Sequence, residues 1–227
     1  MEYLIHRIQG NAPSLEAPWD DPVWQQAQTG LIRDFWRTAP VDPAKSFEPQ
    51  VEFRTLHDDQ GIYGIFRVQD HYVRSVAQKD QDGVCRDSCV EFFVKPATGN
   101  GYFNFEFSCG GVMLSSFIVD YTRTPKGFGE FYPLKDEECA MVKRFASLPR
   151  INEPEKVGDC TWTLSFFVPF ALLQRYSGGE NPASGELWHA NFYKCGDATS
   201  HPHWGMWKPV PTLNFHPPDF FGKVMFE

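Results

Sequence analysis

The segment Tyr102-Phe-Asn-Phe-Glu-Phe-Ser108 decides the fold class. Phe103, Phe105 and Phe107 alternate with Tyr102, Asn104, Glu106 and Ser108, and a period of two places the three rings on one face of a strand and the polar groups on the other. The run Ser88-Cys-Val-Glu-Phe-Phe-Val94 repeats the pattern, with Val90, Phe92 and Val94 on one face and Glu91 beside Cys89 and Phe93 on the opposite one. In Leu187-Trp-His-Ala-Asn-Phe-Tyr-Lys194, the set His189, Asn191 and Tyr193 opposes Trp188, Ala190, Phe192 and Lys194.

Working outward, alternating apolar residues bounded by Gly, Asp, Asn and Pro predict strands over 3–8, 50–56, 62–69, 88–95, 102–109, 112–119, 138–147, 161–168, 188–195 and 223–226. Two short helices are expected. One starts within Trp19-Asp-Asp-Pro-Val-Trp24, where Asp stands at a cap position and Pro at the first turn, and the other covers 169–176. Short strands at this spacing predict an all-β, jelly-roll-like antiparallel β-sandwich forming a single domain over 1–227. The stretches 38–49 and 122–136 read as loop insertions.

Composition agrees. Aromatic residues make up 16% of the 227, with 21 Phe, which favours strands. A chain of this length builds a sizeable core without disulfides. The formal charge of −8 argues against nucleic acid or an anionic membrane as partner, since both need a basic face. MEYLIHRIQG has no basic stretch leading into an apolar run, so it does not read as a signal peptide, and no apolar run reaches membrane-spanning length. The six cysteines are widely spread, mostly inside strand-like runs, and read as buried thiols. Together these features predict a cytoplasmic, reducing location. Cys85 and Cys89 are spaced as a redox or metal pair would be.

The C-terminal stretch HPHWGMWKPVPTLNFHPPDFFG is aromatic and rich in proline. Pro202, Pro209 and Pro211 stiffen the segment around Trp204 and Trp207, so the indoles either plug the end of the sandwich or stay open to a ligand. If the three polar strand faces share one side of a sheet, they line a concavity with this loop at its rim. Planar hydrogen-bonding side chains beside indoles suit a sugar. The competing reading is a solvated outer face.

Asp58-Asp-Gln-Gly-Ile-Tyr-Gly-Ile-Phe-Arg-Val-Gln-Asp70, Asp87-Ser-Cys-Val-Glu-Phe-Phe93, Tyr102-Phe-Asn-Phe-Glu-Phe107, Trp162-Thr-Leu-Ser-Phe-Phe-Val-Pro-Phe170, Asn191-Phe-Tyr and Phe221-Gly occur in that order. From about Pro49 onward the chain resembles a family 9 carbohydrate-binding module, of the family-9-like branch of stand-alone bacterial proteins. The resemblance implies a β-sandwich that binds sugars, in the best-known modules at the reducing end between two Trp side chains. It places Glu91 at the family's binding glutamate and Tyr193 where a polar strand residue reaches the sugar. Glu106 replaces an Arg of some members, Cys85 stands where one platform Trp is expected, and Phe215 and His216 stand near the place of the second, leaving Trp204 or Trp207 to supply it. Some family modules carry structural calcium, for which Asp58, Asp59 and Asp70, or Asp80, Asp82 and Asp87, offer oxygen ligands.

The sequence therefore predicts a non-catalytic binder of a mono- or oligosaccharide with no cofactor beyond possible structural calcium. The sugar would stack on Trp207 or Trp204 and hydrogen-bond to Glu91, Asn104, Glu106 and Tyr193, while Arg74 and Arg86 orient Glu91 or meet an acidic sugar. Other readings remain open. Glu91 and Glu106 could stand about 5 Å apart, as in retaining glycosidases. His201, His203 and His216, with Asp197, could hold a metal. Related sandwiches of the DOMON type hold haem, for which Met113, Met141, Met206 or Met225 could serve as axial ligand. Cys85 at the platform position supports a scaffold or interaction protein that has lost the sugar site.

Overall fold

Alternation of rings and polar groups governs the architecture of the computed structural model, which describes residues 2–37 and 46–227. Its strands are β1 (Tyr3–Arg7), β2 (Thr29–Ile32), β3 (Asp34–Phe35), β4 (Gln50–His57), β5 (Gly61–Ser75), β6 (Cys89–Lys95), β7 (Tyr102–Ser108), β8 (Met113–Thr124), β9 (Gly127–Pro133), β10 (Lys143–Ala146), β11 (Asn152–Pro169), β12 (Leu187–Cys195), β13 (Trp204–Met206) and β14 (Gly222–Phe226). Two helices, α1 (Asp136–Cys139) and α2 (Phe170–Ser177), connect them.

The strands form a mixed, mostly antiparallel β-sandwich. One sheet runs β10-β11-β5-β4, with β2 also paired to β4, and the other runs β14-β12-β6-β7-β8-β9, with β13 on β12 and β3 on β13. β1 belongs to both. Tyr3–Ile5 pair in parallel with Val224–Phe226 of β14, and then His6 and Arg7 pair in parallel with Leu56 and His57 of β4. These two parallel ladders are the departure from the purely antiparallel expectation.

Between the sheets, the rings predicted to share faces meet. Phe53 of β4 stacks on Phe192 of β12 at 3.7 Å, and Phe166 of β11 lies 5.4 Å from Phe92 of β6 and 5.2 Å from Phe107 of β7. Glycine makes room for them. A Cβ on Gly64 would lie 2.2 Å from Cζ of Phe166, and one on Gly30 would lie 2.1 Å from Cζ of Phe53. Lys194 also points to this inner face, as alternation requires, and is fully buried. Its ammonium reaches Asp70 of the opposite sheet at 3.6 Å and His203 Nε2 at 2.7 Å.

The helix predicted over 169–176 is α2. At 19–24 a helix does not form; the Asp21 carboxylate accepts the Val23 N–H at 3.0 Å, and only a three-residue 3₁₀ turn, Trp24–Gln26, follows. Burial of Trp19 and Trp24 with Ile8, Leu56 and Ile65, and the Arg54 guanidinium 4.1 Å over Trp19, fix this segment instead of local helix signals. The strand predicted over 138–147 begins as α1, where the Glu138 carboxylate accepts the Lys135 N–H at 2.9 Å, and becomes β10 only at Lys143. The predicted insertion 122–136 is the tip of the β8–β9 hairpin followed by the start of α1. Of the predicted loop 38–49, residues 38–45 lie outside the described residues.

Candidate functional site

The outer face of the second sheet carries the polar sets that alternation assigned to it. Antiparallel register aligns Tyr193 of β12, Glu91 of β6, Glu106 of β7 and Leu114 of β8 in one row across four strands. Cys195, Cys89 and Ser108 form the next row toward one end, and Asn191, Phe93, Asn104 and Ser116 the next toward the other.

The segment after β13 folds over part of this face. The Phe215 ring stacks on Tyr193 at 4.0 Å with planes 8° apart, and the Tyr193 hydroxyl donates to the Phe215 carbonyl at 2.9 Å. His216 Nδ1 meets the Tyr102 hydroxyl at 2.9 Å. What stays uncovered is a cleft of about 500 Å³. Glu91, Glu106 and Cys195 form its floor, Trp204, Asp197 and Cys85 one wall, and Leu213, Asn214, Phe215 and His216 the other, with Arg123 of β8 at its edge. The volume is in the range of small-ligand sites. β13 sets the orientation of Trp204 by pairing it with Cys195, and the indole N–H donates to Asp197 Oδ1 at 2.7 Å.

Electrostatically the floor is unusual. Glu91 and Glu106 stand directly opposite one another and are 2% and 7% exposed. Like charges so placed repel. Glu91 Oε1 accepts from Cys195 Sγ at 2.9 Å, and Glu106 Oε1 accepts from Asn104 Nδ2 at 2.8 Å. Among the described residues, neither carboxylate forms an ion pair. Burial, and then the charge of Glu106, push Glu91 well above the usual carboxylate range. Burial raises Glu106 to about 7, against the opposing Asn104 hydrogen bond. Burial lowers His216 to about 3, with Arg123 adding to the effect.

The profile of carbohydrate-binding family 9 matches residues 39–226. The chain belongs to this family. Among solved structures, a Bacteroides uniformis protein provisionally described as carbohydrate-binding shares 29% identity at a TM-score of 0.81, over 100% of this chain and 99% of that one. Two structures of a family 9 module from Caldicellulosiruptor kristjanssonii share the fold at 11% identity. The one in complex with cellotriose has a TM-score of 0.65 over 100% of this chain and 94% of its own, and the one in complex with glucose has 0.63 over 99% and 95%. None of the curated proteins matches.

In this family 9 chain the sequence-predicted residues separate into distinct groups. Glu91, Glu106 and Trp204 meet in the cleft. Asn104 and Tyr193 lie beneath it rather than facing it. Asn104 Oδ1 accepts the Ser116 N–H at 2.7 Å while its amide nitrogen donates to Glu106, and Tyr193 is covered by Phe215. Trp207 is on the other side of the sheet, its ring 5.9 Å from Tyr3 and from Phe53 and 5.8 Å from Phe192. Arg74 is held by Glu153 at 2.8 Å, and Arg86 projects from an exposed turn outside the cleft lining.

The acidic calcium candidates are spent elsewhere. Asp58 Oδ1 caps its own turn through the Gln60 and Gly61 N–H groups, Asp59 pairs with Arg7 at 2.7 Å, and Asp70 is buried against Lys194. With Asp58 and Asp70 beyond opposite ends of nine strand residues, they stand about 30 Å apart and form no common cage. Asp80 pairs with Arg144, Asp82 accepts the Gln78 and Lys79 N–H groups, and Asp87 accepts those of Val76 and Ala77. The histidines also disperse. His201 stacks on Tyr72 at 3.5 Å, His203 meets Lys194, and His216 faces Tyr102. Met113 and Met206 are buried as packing. Cys89 sits opposite Cys195 rather than forming an isolated pair with Cys85.

Sequence reasoning missed Arg123, because the predicted strand stopped at 119, and Cys195, although the alternation that selected Tyr193 puts Cys195 on the same face.

Proposed function

We propose that this cleft binds a mono- or oligosaccharide without catalysing a reaction on it. Trp204 supplies the flat wall on which C–H groups stack, and Glu91 and Glu106 accept hydrogen bonds from hydroxyls at the floor. Asp197, Asn214 and Arg123 offer further polar contacts at the rim. The observation that carries this reading is the meeting of an indole, fixed by its bond to Asp197, with two buried carboxylates in one cavity of sugar size. Membership in a carbohydrate-binding family, and structural likeness to family 9 structures in complex with cellotriose and glucose, support it.

The non-catalytic part rests on membership in a family of carbohydrate-binding modules.

The test is titration of the purified protein with a panel of mono- and oligosaccharides, followed by tryptophan fluorescence and melting temperature. A sugar that moves both signals in the wild type, and neither in Trp204→Ala, supports the reading. Silence across the panel refutes sugar binding. Release of reducing ends on prolonged incubation refutes the non-catalytic part alone.

A further inference from the structure

Cys89, Glu91 and Cys195 form a compact donor set at the cleft floor. All three are at most 2% exposed, and Cys89 Sγ, Cys195 Sγ and a Glu91 carboxylate oxygen all lie within 4.8 Å of one another. No other such set occurs among the described residues. The fold builds it rigidly. Cys89 and Glu91 are i and i+2 on β6, so they share a face, and Cys195 is the register partner of Cys89 on β12. The two sulfur-to-carboxylate distances are 2.9 Å to Cys195 and 4.0 Å to Cys89. They bracket the separation of about 3.6 Å expected between a sulfur and an oxygen ligand on a tetrahedral zinc ion.

The geometry points to a binding site for a soft divalent metal of the zinc class, held by Cys89 Sγ, Cys195 Sγ and the Glu91 carboxylate. Two thiolates select zinc-like ions over calcium or magnesium, whose preferred ligands are oxygens. Glu91 and Cys195 both line the cleft, so the fourth coordination position opens into it and is filled by water. Cys85 lines the wall but stands outside the donor set. The ion also answers a problem of the floor: Glu91 is buried opposite Glu106, and no described cation pairs with either. On binding, Cys89, Cys195 and the Glu91 carboxyl, which burial keeps protonated, each release a proton to solvent and donate a lone pair to the metal, so one divalent ion displaces three protons with no change of oxidation state.

The test uses full-length protein reduced and handled without oxygen, with cobalt(II) as spectroscopic probe and zinc(II) as competitor, in the absence of sugar. The wild type is expected to take up one equivalent of cobalt. It should show a near-ultraviolet thiolate-to-cobalt charge-transfer band and the visible bands of a tetrahedral ion, and one equivalent of zinc should bleach both. Cys89→Ser and Cys195→Ser should each lose most of the charge-transfer intensity, whereas Cys139→Ser should keep it. If the serine variants fold poorly, Glu91→Gln and the proton count on zinc addition to wild type decide the matter. Weaker cobalt uptake in Glu91→Gln and release of about three protons per zinc at neutral pH, one from each thiol and one from the Glu91 carboxyl, support the site.

A reduced wild type that shows no charge-transfer band, or a band that survives replacement of both Cys89 and Cys195, overturns it. So does protein that keeps Cys89 and Cys195 joined as a disulfide and takes up no cobalt after reduction. Because the readout involves no sugar, failure of this site leaves the carbohydrate reading standing, and failure of sugar binding leaves the metal result intact.

Discussion

Replacing each tryptophan of the Trp-Gly-Met-Trp segment by alanine separates binding from stability. Trp207 packs edge-on against Tyr3, Phe53 and Phe192, and a Cβ on Gly222 would lie only 2.4 Å from its ring. Truncating a fully buried tryptophan costs about 3–5 kcal/mol. Trp207 is half-buried, so Trp207→Ala should cost roughly 2 kcal/mol, which for a domain of this size lowers Tm by about 4–8 °C. The cleft is untouched, and sugar affinity should change less than about threefold. Trp204 is also half-buried, but its ring lines the cleft and its one fixed polar contact is the 2.7 Å bond to Asp197. Losing that bond costs about 1 kcal/mol and about 2–4 °C. Losing the stacking wall should cost about 2 kcal/mol of binding, or roughly thirtyfold in Kd. Differential scanning calorimetry and isothermal titration of both variants read the two effects separately. The reasoning is refuted if Trp207→Ala abolishes sugar binding at unchanged Tm while Trp204→Ala binds normally.

Three further outcomes follow from the packing. His216 is held neutral by burial, with its pKa lowered to about 3, and it faces the Tyr102 hydroxyl and the positive charge of Arg123. The unfolded chain protonates it near 6.5, so its contribution is fully present above that pH and is lost as pH falls toward 3. Chemical denaturation between pH 7 and 4 should show His216→Phe with a stability slope shallower than wild type by up to about 1.4 kcal/mol per pH unit; parallel slopes would contradict this. Lys194→Met strands the buried Asp70 carboxylate and should cost about 3–5 kcal/mol in urea unfolding, with much of the loss recovered in Lys194→Met/Asp70→Asn. A loss below 1 kcal/mol would show that the ion pair contributes little. Gly64→Ala drives a methyl into the Phe166 ring and should destabilise by about 1–3 kcal/mol; an unchanged Tm would mean that the ring moves freely.

Residues on regular strands were readable from the sequence because their neighbours fix their faces. Glu91 and Glu106 could be placed on one face by counting, and so could Lys194 on the other. Its partner could not, since Asp70 arrives from the opposite sheet and nothing local links the two. Trp204 and Trp207 were indistinguishable in sequence. A three-residue strand is too short to show alternation, yet the pairing of Trp204 with Cys195 sends one indole to the cleft while the other turns inward just past the strand end. Asn104 and Tyr193 were correctly oriented and wrongly exposed, because their cover comes from a non-repetitive segment. The β8–β9 tip and the first half of β11 were missed for another reason: both are largely exposed, so the contrast of apolar and polar positions disappears.

The strand shared by both sheets bears on how the molecule folds. β1 is joined to β14 by residues near opposite ends of the chain, and the His6–Glu227 contact spans 221 positions. Closing such a loop before any other contact forms is entropically expensive, and a topology this rich in distant pairings folds slowly. The hairpins β6–β7, β7–β8 and β4–β5 can zip locally, so the seam along β1 is expected to close late. Substitutions at Ile5 or Val224 should then accelerate unfolding and leave the refolding rate nearly unchanged.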